Sequence, residues 1–120
     1  MLIAAFAFGA TSYISNVEVN KPYSVNISKD SLINHIERLD SVNFVNRNLQ
    51  STTNPDTMKI SFPSNLCFDN VEINIIIEEH TDGTSTITLQ DAKYDCPKEK
   101  NEQDKVIKGF EDKVINQVDF

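Results

Sequence analysis

The 120-residue chain has few of the residues on which common catalytic and nucleotide-binding motifs depend. Its three glycines are isolated at positions 9, 83 and 109, so the sequence contains no phosphate-cradling loop, dinucleotide fingerprint or nucleophile elbow. Two histidines and two cysteines are its only soft metal ligands, and they lack the paired short spacings of a zinc site. We therefore expect a protein that is not an enzyme and that binds no metal or other cofactor.

Basic residues are also scarce, because 11 lysines and arginines stand against 18 aspartates and glutamates, for a net charge of −7. Residues 1–68 contain five groups of each sign, so the whole acidic excess lies in residues 69–120. Phosphate binding needs a basic surface, which argues against nucleic acid and leaves a basic protein as a possible partner. The simpler interpretation is that the acidic excess only keeps a small protein soluble.

An uninterrupted apolar run, LIAAFAFGA, occupies residues 2–10. It is too short to span a bilayer, which takes about 20 apolar residues. Its length and its small residues are typical of the apolar region and cleavage zone of a secretory signal, although the basic start of such a signal is missing. Residues 1–14 are therefore either a partial signal or membrane anchor, or a buried first element. Residues 15–120 are expected to form one domain.

The clearest local signal is a hairpin, with strands predicted over residues 71–79 and 84–89. Asp82-Gly83 separates them, and both central residues of a type I′ turn need positive φ. This two-residue loop would pair Glu79 with Thr86. It would also place Cys67 and Cys96 at the open end, offset by two residues and within disulfide reach. We predict a Cys67–Cys96 disulfide and hence a secreted, periplasmic or membrane-anchored protein. Two free buried thiols would instead indicate the cytoplasm.

The remaining patterns predict further strands and two helices. Residues 17–27 alternate as a strand bent at Pro22, and weaker strands are predicted over 42–49 and 57–62. Ser28 is a candidate N-cap for a helix over residues 29–40, and Pro97 is well placed to begin a C-terminal helix. The predicted fold is α+β: an antiparallel sheet of four to six strands, with an early short helix and a C-terminal amphipathic helix packed on one face.

This order of elements resembles a shortened START-like domain of the polyketide cyclase/dehydrase superfamily. The resemblance is one of layout over residues 17–118, from the strand ending in Val25-Asn26-Ile27-Ser28 to the hairpin Asp82-Gly83-Thr84 and the closing helix. It implies a hydrophobic small molecule bound between the sheet and the C-terminal helix. The residues that would line such a cavity, and that are otherwise core, are Ile60, Phe62, Ile73, Ile75, Phe110 and Val114.

Three functional hypotheses follow. The first is the non-enzymatic ligand-binding domain that the resemblance implies. The second is an acidic interaction module, such as an inhibitor or immunity protein, that binds a basic partner. Its predicted acidic surface consists of Asp91, Asp95, Glu99, Glu102, Asp104, Glu111 and Asp112. The third is an envelope-associated structural domain held near a membrane by residues 1–14. Asn26-Ile27-Ser28 also matches a glycosylation acceptor, and the bent first strand could pair with a second copy edge to edge.

Overall fold

The computed structural model describes residues 14–40, 42–46, 55–64, 66 and 70–118, with the backbone alone for residues 44–46. Five antiparallel strands form one sheet in the order β1-β5-β4-β3-β2. The strands are β1 (Ile14–Val25), β2 (Asn43–Asn46), β3 (Asp56–Pro63), β4 (Asn70–Glu79) and β5 (Ser85–Asp95). The helices are α1 (Lys29–Glu37) and α2 (Glu102–Lys113), and a 3₁₀ turn follows at Ile115–Gln117. The predicted α+β fold class is confirmed.

The β4–β5 hairpin turns through three residues, so the predicted two-residue turn is wrong. Glu79 pairs with Ser85, and the amide of Gly83 donates a hydrogen bond to the carbonyl of His80 at 3.1 Å. Gly83 has a φ of +88°, as expected for the glycine bulge that closes a three-residue hairpin loop. Farther from the turn, an extra residue in β5, Gln90, shifts the register by one.

Strand β1 lies at the edge of the sheet and is bent, as its sequence predicts, but the bend comes before Pro22. Glu18 pairs with Asp91 and Lys21 pairs with Leu89, so Val19 and Asn20 together lie opposite the single residue Gln90. Asn20 takes a φ of +55°, which Asn tolerates better than most residues. The irregularities in β1 and β5 therefore lie side by side and bend the sheet at one level.

Helix α1 begins as predicted, with the hydroxyl of Ser28 accepting a hydrogen bond from the amide of Ser31 at 3.3 Å, but it ends at Glu37. Helix α2 begins at Glu102, so the prediction that Pro97 is its first residue is wrong. The preceding segment instead turns around Tyr94, whose hydroxyl accepts a hydrogen bond from the amide of Glu99 at 3.1 Å.

Both helices pack on the same face of the sheet, which we call the inner face. Apolar side chains of both helices and of the inner face share one core. The largest fully buried ones include Leu32, Ile36, Ile60, Phe62, Leu66, Ile73, Ile75, Ile77, Ile87, Leu89 and Phe110. A buried ion pair adds to these contacts, because the ammonium of Lys29 lies 3.1 Å from Oδ2 of Asp56. That oxygen accepts no hydrogen bond of good geometry among the described residues. None of the helices in the described ranges is long and apolar enough to cross a membrane.

Candidate functional site

The opposite side of the sheet, the outer sheet face, is formed by the alternate residues of β1, β5, β4 and β3. No described helix packs on it. Cross-strand pairing arranges its side chains in rows that run from β1 to β3. The first row is Asn16, Lys93, Glu72 and Ser61. The second row is Glu18, Asp91, Asn74 and Lys59. The third row, nearer the hairpin turn, is Pro22, Thr88, Ile76 and Thr57.

The first and second rows line a cleft of about 430 Å³. All of their members except Ser61 border it, together with Val17. A second cleft of about 300 Å³ adjoins it, shares Glu72 and Lys93, and extends to Ile14 and Asp95. These volumes lie at the lower end of the range for small-molecule sites. Their lining is rich in charged and amide groups, so the clefts suit a polar ligand or the polar side chains of another protein.

The charged side chains of these two rows make few contacts within the chain, and in the first row Lys93 lies opposite Glu72 on the neighbouring strand. Apart from Asp91, none of their charged side chains forms an ion pair or hydrogen bond within the described part of the chain. The amide of Asn74 donates a hydrogen bond to Oδ1 of Asp91 at 2.7 Å. Glu18 lies directly opposite Asp91 on the neighbouring strand, a placement of like charges that opposes folding. A cation bound at this point would relieve that repulsion.

The acidic excess of the chain is concentrated in this part of the fold. Residues 69–95 contain seven acidic groups and one lysine, a net charge of −6, whereas residues 96–120 contain six acidic and five basic groups. The outer sheet face receives four carboxylates from β4 and β5, Glu72, Glu78, Asp91 and Asp95, together with the ammonium group of Lys93. The net negative charge of the protein therefore lies mainly in the segment that forms the hairpin, and residues 96–120 are nearly neutral.

The structure does not bring the seven residues of the predicted acidic surface together. Asp91 and Asp95 lie on the outer sheet face, whereas the other five lie on α2 or in the turn before it, on the side of the inner face. Most of these five already have partners. Glu99 pairs with Lys105 at 2.8 Å and Asp112 pairs with Lys108 at 3.0 Å. The remaining three are Glu102, bonded to the Tyr94 hydroxyl, Glu111, and the exposed Asp104.

Glu111 belongs to a polar contact that fastens α2 to β1. Its Oε2 lies 3.1 Å from the ammonium of Lys21 and accepts a hydrogen bond from the hydroxyl of Tyr23 at 2.9 Å. The hydrogen bond from Lys21 lowers the pKa of Glu111, and the one from Tyr23 adds to this. Burial, followed by the neighbouring carboxylate, raises the pKa of Tyr23. The ring of Tyr23 also packs against Phe110, with 5.6 Å between ring centroids. This carboxylate is therefore engaged in holding the fold together.

The six residues predicted to line an apolar cavity are all fully buried in the shared core. None of them borders either of the two clefts on the outer sheet face. The contact between sheet and helix is close at Gly109, where a methyl group in place of the glycine hydrogen would lie 3.2 Å from the ring of Phe62. These residues therefore act as core in this conformation, and ligand binding between sheet and helix stays a prediction.

Of the two cysteines, only Cys96 lies within the described residues, and it is disulfide-bonded. The carbonyl of Cys96 accepts a hydrogen bond from the hydroxyl of Ser15 at 2.6 Å, which ties the end of β5 to β1. Cys67 lies outside the described residues, so the Cys67–Cys96 pairing stays a prediction. Residues 1–13, which contain most of the predicted signal or anchor, also lie outside them.

Other chemistry finds little support in this part of the chain. Among the described residues, no three His, Cys, Asp or Glu side chains are placed to hold a metal ion. The ring of His80 is hydrogen-bonded to the hydroxyl of Thr86 at 2.7 Å, at the exposed hairpin tip. In comparisons with known proteins, no family model, curated protein or solved structure matches the chain. Any functional inference must therefore come from the geometry of the molecule itself.

Sequence reasoning missed most of the outer sheet face. Alternation in β4 correctly places Glu72 and Asn74 outward. In β5, alternation counted onward from Ile87 and Leu89 would turn Asp91 and Lys93 inward. The extra residue Gln90 reverses this phase. The sequence does contain a sign of this bulge, because the apolar positions of β5 change from odd-numbered residues, Ile87 and Leu89, to even-numbered ones, Ala92 and Tyr94.

Proposed function

We propose that this protein is a non-enzymatic binding module that uses the outer sheet face to bind a basic partner protein. The observation that carries the proposal is the pair of facing carboxylates, Glu18 and Asp91, at the 430 Å³ cleft, whose lining holds three carboxylates and two lysines. It contrasts with α2, where most carboxylates already have a partner. The proposal keeps the acidic interaction module expected from composition and moves its binding surface from α2 to the sheet.

The electrostatics favour a cationic side chain of the partner at one particular place. Glu18 and Asp91 face each other across β1 and β5, so a lysine or arginine between them would be attracted to two carboxylates at once. The wider acidic hairpin would steer a basic protein toward this face and raise its association rate, an effect that salt weakens. The affinity is therefore expected to fall steeply with ionic strength.

The START-like resemblance agrees with the layout of two helices on one face of an antiparallel sheet. Its ligand site, however, would lie where the six predicted cavity residues pack as core. An envelope-associated structural role would depend on residues 1–14, of which only Ile14 is described. The outer sheet face therefore gives the interaction module the better support of the three hypotheses.

Affinity capture from cells that express the tagged protein tests the proposal, followed by calorimetric titration of the purified captured partner. The test variant is Glu18→Gln with Asp91→Asn. The matched control, Asp40→Asn with Asp104→Asn, removes two exposed negative charges beside or on the helices. We expect a basic partner whose affinity falls at least about tenfold in the test variant and at high salt, but not in the control. Equal affinity of both variants, or binding that is insensitive to salt, would refute the proposed site.

We also propose that the protein is exported, which the disulfide-bonded state of Cys96 supports, because disulfides persist in oxidising compartments. Intact mass of the natively expressed protein, before and after reduction and alkylation, reports the N-terminal residue and the thiol state together. A shortened chain with one Cys67–Cys96 bond is expected. A full-length chain with two alkylatable thiols before reduction would exclude both parts of the proposal.

A further inference from the structure

We propose that the outer sheet face is also the interface of a symmetric homodimer, with a second copy of this chain as its occupant. The inference does not rest on the proposed function. It follows from the order of charges in the rows of this face, which is complementary to itself when reversed. Consider a two-fold axis that lies in the interface, parallel to the strands and between β5 and β4. It places each row of one copy opposite the same row of the second copy in reversed strand order, so that β1 faces β3 and β5 faces β4.

The second row shows the complementarity most clearly. From β1 to β3 its side chains are negative, negative, neutral and positive. Reversal places Glu18 of one copy against Lys59 of the other, and Asp91 against Asn74. Each of these contacts occurs twice because the interface is isologous. The carboxylate that faces a like charge within one chain, Glu18, thus gains a cation from the second copy.

The first and third rows obey the same rule. In the first row, reversal places Lys93 against Glu72 of the second copy, which are opposite charges, and Asn16 over Ser61, a neutral residue that is only 8% exposed. The third row is uncharged throughout, and reversal places Ile76 against Thr88. No like charges face each other in any of the three rows. A face without symmetry in its charges would not be expected to satisfy all of these pairings at once.

The size of the face is sufficient for a weak dimer. Four strands about 4.8 Å apart, over a length of roughly 30 Å, give a footprint of roughly 600 Å² per copy. The total of about 1,200 Å² is at the lower limit for specific interfaces. Long lysine and glutamate side chains would extend into the clefts of the opposite copy. We therefore expect a polar, salt-sensitive dimer with a dissociation constant of about 10–50 µM.

Sedimentation velocity of the full chain tests this inference with charge-reversal variants, over concentrations from about 2 to about 200 µM. The wild-type protein should sediment as a monomer of 13.6 kDa at the low end and as a dimer at the high end. Glu18→Lys and Lys59→Glu should each weaken the dimer at least about tenfold, because each creates two repulsive contacts. A mixture of these two variants should form a heterodimer, since reversal then places opposite charges together again. The double variant should dimerise by itself.

Asp104→Lys, a charge reversal at an exposed position of α2, is the matched control and should leave the dimer unchanged. Recovery in the mixture also shows that both single variants are folded. The inference fails if the wild-type protein is monomeric throughout, if the single reversals dimerise normally, or if the mixture does not recover. The double variant separates the two proposals, because it keeps the dimer while it places a cation where the basic partner is expected to bind.

Discussion

Replacing Gly109 with alanine sets a gain in helix propensity against a clash in the core. Alanine is favoured over glycine in a helix interior by about 1 kcal/mol. The added methyl carbon would lie 3.2 Å from Cε1 of Phe62, closer than ordinary van der Waals contact. Phe62 is fully buried, so its ring can move only by displacing other core side chains. Such overpacking costs about 1–3 kcal/mol. We therefore expect Gly109→Ala to lower the free energy of unfolding by about 0–2 kcal/mol.

Urea unfolding followed by circular dichroism measures this change, and a double-mutant cycle with Phe62→Leu identifies its cause. With a smaller side chain at position 62 the clash is relieved, so the alanine substitution should now stabilise the protein by up to about 1 kcal/mol. The reasoning would be refuted if Gly109→Ala stabilised the wild-type protein by that full amount. It would also be refuted if the effect of the alanine were the same in both backgrounds.

Three further changes test other parts of the fold. Gly83→Ala should destabilise the protein by about 1 kcal/mol in urea unfolding, because φ is +88° while no atom lies within 4 Å of the added methyl; Gly83→Asn should cost less. Lys29→Met leaves a buried carboxylate without its ion-pair partner and should cost about 3–5 kcal/mol, whereas the double variant with Asp56→Leu should recover most of that loss. The carboxylate of Glu111 has a lowered pKa, so its stabilising effect is present above the ordinary value of 4.5 and is lost as the pH falls through the folded-state pKa. The difference in Tm between wild type and Glu111→Gln should therefore shrink from neutral pH to about pH 3, and a constant difference would contradict this.

The sequence predicts those parts of the fold that depend on local chemistry and periodicity. The Ser28 cap, the inward positions of β3 and β4 and the bend in β1 were all expected, because capping and alternation act over a few residues. The hairpin loop was misjudged because Asp-Gly fits both a two-residue turn and the end of a three-residue turn. The start of α2 was misjudged because a tertiary contact, the Tyr94 hydroxyl with the amide of Glu99, holds the segment after Pro97 in a turn.

The candidate site was harder to predict because it depends on register across four strands. The carboxylates predicted to form the acidic surface are mostly those of α2, which look exposed in sequence but have partners in the fold. Conversely, Glu18 and Lys59 lie far apart in sequence and come into one row only through pairing with β5 and β4. The net charge of the sequence favours a basic partner. The facing pair Glu18 and Asp91 could be located only from the strand register of the folded sheet.

The adjacent irregularities in β1 and β5 make the sheet a surface with two parts. The two charged rows lie on one side of these irregularities, and the uncharged third row lies on the other side. Removal of Gln90 would leave every β4–β5 partner unchanged, because Asn74 and Ile75 are already consecutive opposite it. The same side chains would stay buried after such a deletion. In β1, however, Val19 and Asn20 would then have no residue opposite them, so Gln90 acts on the fit between β5 and the edge strand and does not decide which side chains of β4 and β5 point inward.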